Sequence, residues 1–97
     1  MNRTIPLIVV ASLSSSFADE VAARLRREGN VVYVTHSAKG CLRVATSVMP
    51  DVVLIDPGLT PRLERLLRAH PSSAAALIMP LTKDSVPHIT ASVLHAA

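Results

Sequence analysis

Four apolar residues, Val52-Val53-Leu54-Ile55, stand between Pro50-Asp51 and Asp56-Pro57-Gly58. No polar residue alternates within the run, so it suits a strand covered on both faces rather than one with a wet side. Pro50 stops any helix that precedes it, and Pro57-Gly58 is turn chemistry. The chain must therefore place helices above and below this strand. A carboxylate, Asp56, ends it, at the end of a central parallel strand where open α/β sheets do their chemistry.

The rest of the chain supplies the layers. Pro6 to Ala11 read as a first strand and Val31 to Thr35 as a second. Between them Ser14 or Ser15 caps a helix with Phe17, Val21 and Leu25 as its buried stripe, and Gly29-Asn30 ends it. Ser37 caps a second helix, on which Leu42, Ala45, Val48 and Met49 share a face. Thr60 or Pro61 opens a third, with Leu63, Leu66 and Leu67 inward. His70 to Ser73 make a turn, and Ala74 to Leu81 are the fourth strand, at an edge because of Pro80. Asp84 or Ser85 caps a last helix, with Pro87 in its first turn. Strict β-α alternation implies a parallel sheet with right-handed crossovers and helices on both faces.

Composition narrows the function classes. Ninety-seven residues make one domain, 1–97, with only Phe17 and Tyr33 aromatic, so the core is aliphatic. A net charge of +3 without a block of like charge gives no electrostatic footprint for nucleic acid. The single cysteine, Cys41, excludes an internal disulfide and suits a reducing, cytoplasmic setting. Met1-Asn2-Arg3, Ile5–Ala11 and Ser16-Phe17-Ala18 imitate a short signal peptide, but the same residues serve as strand one. No apolar run approaches the ~20 residues that span a bilayer.

The pattern Pro-Asp-(apolar)4-Asp at 50–56 resembles the third strand of the receiver domain of bacterial response regulators. Gly29 stands where receivers end their first helix, and Cys41-Leu42 where their second helix carries Ala-Leu. The resemblance implies a three-layer α/β/α sandwich of the flavodoxin-like type, sheet order 2-1-3-4. It makes Asp56 the candidate phosphoacceptor and Thr82 the candidate switch hydroxyl.

Departures from the pattern carry equal weight. Receivers end strand one with two acids that bind Mg²⁺, and here those positions read Ala11-Ser12. Magnesium wants oxygen ligands that include carboxylates, so Asp56 with the Gly58 carbonyl should bind it weakly or not at all; no cofactor is expected. Pro57 removes a backbone N–H beside the acceptor, and Pro61 comes one residue later than the family's proline. In the family a fifth strand with Lys-Pro and a fifth helix follow the fourth helix, whereas this sequence stops at Ala97. The expectation is a sheet with the fifth strand missing and no phosphoryl-pairing lysine; Lys83, on another strand end, is not given that role.

Other candidates have plainer readings. Cys41 is a small core residue, and Arg62, Arg65 and Arg68 are a solvated helix row. His88 and His95 share a face without a further ligand, so no metal site is expected. Asp56 can cap its loop through Ser12. The expectation is a degenerate receiver, not an enzyme, acting by protein contact without efficient phosphorylation. Its partner is a second copy, a kinase or an output domain, met through Leu77, Met79, Ile89 and Val93. The alternatives are a phosphorelay receiver phosphorylated on Asp56, and a small anion- or nucleotide-binding α/β protein using Ser14 and Ser15.

Overall fold

The computed structural model describes residues 5–59 and 61–82. The expected last helix, with Asp84, Ser85, Pro87, Ile89 and Val93, lies outside the described residues, as does Thr60. Within them run β1 (Leu7–Ala11), α1 (Ser15–Arg27), β2 (Val31–Thr35), α2 (Ala38–Val48), β3 (Val52–Ile55), α3 (Arg62–Ala69) and β4 (Leu77–Pro80). The strands are parallel and ordered β2-β1-β3-β4, the order expected from the sequence.

Alternation along the strands divides the interior in two. Ile8, Val10, Val52 and Leu54 pack with Ala18, Val21, Ala22 and Leu25 of α1. Val9, Ala11, Val53 and Ile55 face Cys41 and Ala45 of α2 and Leu63 and Leu67 of α3. All four residues of β3 are buried. The uninterrupted apolar run thus has its cause in helices on both sides, and the molecule has three layers.

Local signals set the helix ends. The Ser14 side chain accepts from the Phe17 amide at 3.4 Å, and that of Ser37 from the Gly40 amide at 2.9 Å. Gly29, at φ 94°, reverses the chain after α1.

Four expectations need correction. Met49 does not share the buried face of α2: it takes the left-handed conformation, φ 52°, and is 60% exposed. Pro50 disfavours the helical region at the residue before it, and the reversal swings Met49 outward. Leu66 is exposed, because α3 meets the interior along the single row of Leu63 and Leu67. β4 begins at Leu77 rather than Ala74. Residues 74–76 belong to a turn in which Ala74 N–H donates to His70 O and Ala76 N–H to Ser73 O. Arg68 holds that turn by donating to Ala74 O at 2.8 Å and Ala76 O at 2.9 Å, so it is not merely a solvated charge. The buried Ser73 hydroxyl, donating to Leu67 O at 2.7 Å, finishes α3.

Cys41 is fully buried. Burial pushes its thiol from 9.0 up to about 11, against a smaller opposing effect of a Thr35 hydrogen bond. Two results are expected. Iodoacetamide at pH 8 labels Cys41 in urea but not in the folded protein. Because the folded state keeps the proton longer, the thiol's contribution is intact below pH 9 and declines as pH rises from 9 through about 11. The stability of the parent relative to Cys41→Ala, measured by urea unfolding across that range, falls accordingly.

Candidate functional site

The C-terminal ends of β1, β3 and β4 form a crest. At β1, Ala11 presents a buried methyl group, and Ser12 is also fully buried. The Ser12 amide donates to Thr35 O at 3.1 Å, which fixes the loop against β2. Its hydroxyl accepts from the Ser14 amide at 3.1 Å and lies 3.4 Å from Asp56 Oδ2. With one lone pair engaged by Ser14, the hydroxyl proton points to the carboxylate.

Asp56 joins two loops. Its amide donates to Ala11 O at 2.8 Å, continuing the β1–β3 ladder by one step. Oδ2 accepts from the Leu13 amide at 3.2 Å, and Oδ1 from the Gly58 amide at 3.0 Å. The Leu59 amide closes a tight turn onto Asp56 O at 2.8 Å. Aspartate followed by proline and glycine builds such a turn for separate reasons. Pro57 presets the second position, and the carboxylate accepts from the amide two residues on. The N–H that Pro57 lacks is thus replaced by that of Gly58. A Cβ on Gly58 would stand 3.2 Å from Leu13 Cδ1 and 3.5 Å from Asp56 Oδ1, so the bare backbone lets the two loops close together.

Thr82 follows Leu81, whose amide donates to Ile55 O at 2.8 Å. It therefore leaves the sheet at the same end as Asp56 and is half-buried. Across the crest His36 Nδ1 lies 3.4 Å from Ser12 O, a contact that requires the proton on Nδ1. Sequence reasoning joined Asp56 to Ser12 but missed the Leu13 and Gly58 amides. The Gly58 contact was signalled by the Asp-Pro-Gly order; the Leu13 contact depends on how the β1–α1 loop crosses the crest.

The sheet order and a carboxylate at the end of its central strand decide the architecture. The chain has the receiver fold. It superposes on the N-terminal domain of a response regulator receiver protein from Methanoculleus marisnigri JR1 with a TM-score of 0.72 and 20% identity, covering 90% of this chain and 79% of that one. It also superposes on the chemotaxis response regulator CheY4 of Vibrio cholerae, with a TM-score of 0.75 and 17% identity over 97% of this chain and 82% of that one. No protein-family model and no curated protein matches the sequence.

Among the described residues no three His, Cys, Asp or Glu side chains gather in one place. Where the receiver pattern has two acids stand a methyl and a hydroxyl. The hydroxyl and the two loop amides point hydrogens, not lone pairs, at the carboxylate, whereas a hard dication needs several oxygen ligands.

The other candidates take ordinary places. Leu77 is 42% exposed on β4, while Met79 is half-buried against the α1-side core; Ile89 and Val93 lie outside the described residues. Ser14, the candidate anion ligand, spends its hydroxyl as the α1 cap. No described helix is long and apolar enough to cross a membrane.

Proposed function

We propose that this chain is a receiver-like signalling domain that acts by protein contact, without efficient phosphorylation of Asp56 and without a resident cofactor. The observation that carries the reading is the state of the carboxylate. Both of its oxygens accept from loop donors, and the paired acids of receivers are replaced by Ala11 and Ser12. Phosphoryl transfer depends on preorganised charge that stabilises the equatorial oxygens. Without the acids that recruit a dication, the barrier rises by several kcal/mol, on the order of the loss of more than one such group. Attack by an Asp56 oxygen would also break the hydrogen bonds that tie β1–α1 to β3–α3.

The partner in this reading is a second copy, a kinase or an output domain in the cytoplasm, met on the β4 side of the sheet where Leu77 and Met79 stand. β4 ends the sheet among the described residues, and an edge strand is a natural place for another chain. Asp56 and Thr82 leave the sheet at the same end, which favours the phosphorelay reading as the alternative. Beryllofluoride with Mg²⁺ separates the two. The backbone amide spectrum is expected to stay unchanged around residues 11–14 and 56–59. Shifts there that vanish in Asp56→Asn would establish the phosphoacceptor instead.

A further inference from the structure

Charge is sorted between the two helical layers. α1 is balanced: Asp19 and Glu20 precede Arg24, Arg26 and Arg27, Arg24 Nε lies 4.0 Å from Glu28 Oε1, and Arg26 donates to Val32 O at 2.8 Å. α2 and α3 cover the other face of the sheet, against Val9, Ala11, Val53 and Ile55, and touch each other. They carry Lys39, Arg43, Arg62, Arg65 and Arg68 against Glu64 alone, and every one of these cations is exposed. Arg68 is tied to the turn before β4. Among the described residues none of the other four has a carboxylate within ion-pair reach. Their placement works against the helices that bear them. Lys39 and Arg62 stand in the first turns of α2 and α3, the end where the helix dipole disfavours a cation. Lys39 with Arg43, and Arg62 with Arg65, set like charges one turn apart. At the helical repeat Lys39 and Arg43 fall opposite the buried Cys41 and Ala45, and Arg65 opposite Leu63 and Leu67, so they stand on the outer surface. Leu66, 39% exposed, sits one turn from Arg62 and next to Arg65. Local rules broken without a gain inside the fold mark a surface that serves something outside it.

We propose that the outer face of α2 and α3 docks an acidic protein segment, whose carboxylates meet Arg43, Arg62 and Arg65 and whose apolar residue covers Leu66. Charge complementarity sets the sign of the partner, and guanidinium forks match carboxylates in bidentate pairs. Three features favour protein over other anions. Leu66 is an apolar anchor among the cations, which a sugar-phosphate backbone would leave unmatched. Neither helix carries an aromatic side chain on which a base could stack. One exposed leucine is too little apolar surface for a helix to enter a lipid interface. The proposal holds whether or not Asp56 accepts phosphate.

Fluorescence anisotropy at low salt tests it, with a labelled amphipathic peptide of glutamate and leucine as the probe. Poly-L-glutamate, a single-stranded oligodeoxynucleotide and phosphatidylserine vesicles are compared with it. The peptide is expected to bind, and more tightly than the other three. Arg62→Glu combined with Arg65→Glu should weaken it by about tenfold or more. Arg62→Gln with Arg65→Gln keeps the test open if the charge reversal fails to fold, and should weaken it by less. Leu66→Ala should reduce peptide binding severalfold and leave poly-L-glutamate unaffected. Arg27→Glu, on α1, should change neither. A parent that does not bind the peptide overturns the proposal. Equal losses in Arg27→Glu and the α3 variants overturn it too, since net charge alone would then be the cause. Tighter binding of the oligonucleotide or the vesicles would assign the face to phosphate groups, and overturns it as well.

Discussion

Leu54→Ala is expected to lower the free energy of unfolding by about 2–5 kcal/mol. Leu54 is fully buried in the central strand, within the cluster that joins Val10 and Val52 to α1 and Leu81. Removing its branched end deletes apolar contact and leaves a cavity, because neighbouring strands hold the backbone on both sides. A domain of this size is stable by only about 5–15 kcal/mol, so the loss is a large fraction of the total. Leu66→Ala, on an exposed face of α3, is expected to stay within about 0.5 kcal/mol of the parent. Urea midpoints of the two variants check both. Equal effects would mean that the buried cluster is not the source of stability.

Ser12→Asp carries the second large effect. It places another carboxylate against Asp56, at a position now fully buried. Two like charges at hydrogen-bond distance disfavour joint ionisation, and the Ser14 amide keeps an acceptor while the contact to Asp56 turns repulsive. In chelator the variant is expected to lose about 2 kcal/mol or more. It also rebuilds one of the missing metal ligands. Magnesium should then restore stability by mass action, about 2.7 kcal/mol at a concentration a hundredfold above its dissociation constant. The melting temperature of Ser12→Asp should rise with MgCl₂ and saturate, while that of the parent stays flat. A saturating rise in the parent would mean that the crest holds a dication without the acidic pair.

Much of the architecture was legible because the strands advertise themselves. Val31 to Thr35 and Val52 to Ile55 are bounded by glycine-asparagine, proline and aspartate, and both strands begin and end where those signals put them. Ser14 and Ser37 were readable as caps for the same local reason. The errors fall where distant groups decide. Residues 74–76 have a strand-compatible sequence, but Arg68 draws two of their carbonyls into a turn. Leu66 fits a helical stripe, yet only the Leu63–Leu67 row meets the interior. Ser12 and Asp56 are far apart in sequence, and their pairing followed from the implied topology. The Leu13 amide could not be found that way, since backbone donors leave no mark on residue identity.

Asp56 is, in this reading, a structural tie between two loops rather than a working acceptor. The most direct test is intact-mass analysis of the purified protein after minutes in millimolar acetyl phosphate with Mg²⁺. The expected spectrum is that of the unmodified chain, the same as for Asp56→Asn. Rapid, near-complete addition of one phosphoryl group, absent from Asp56→Asn, would contradict it.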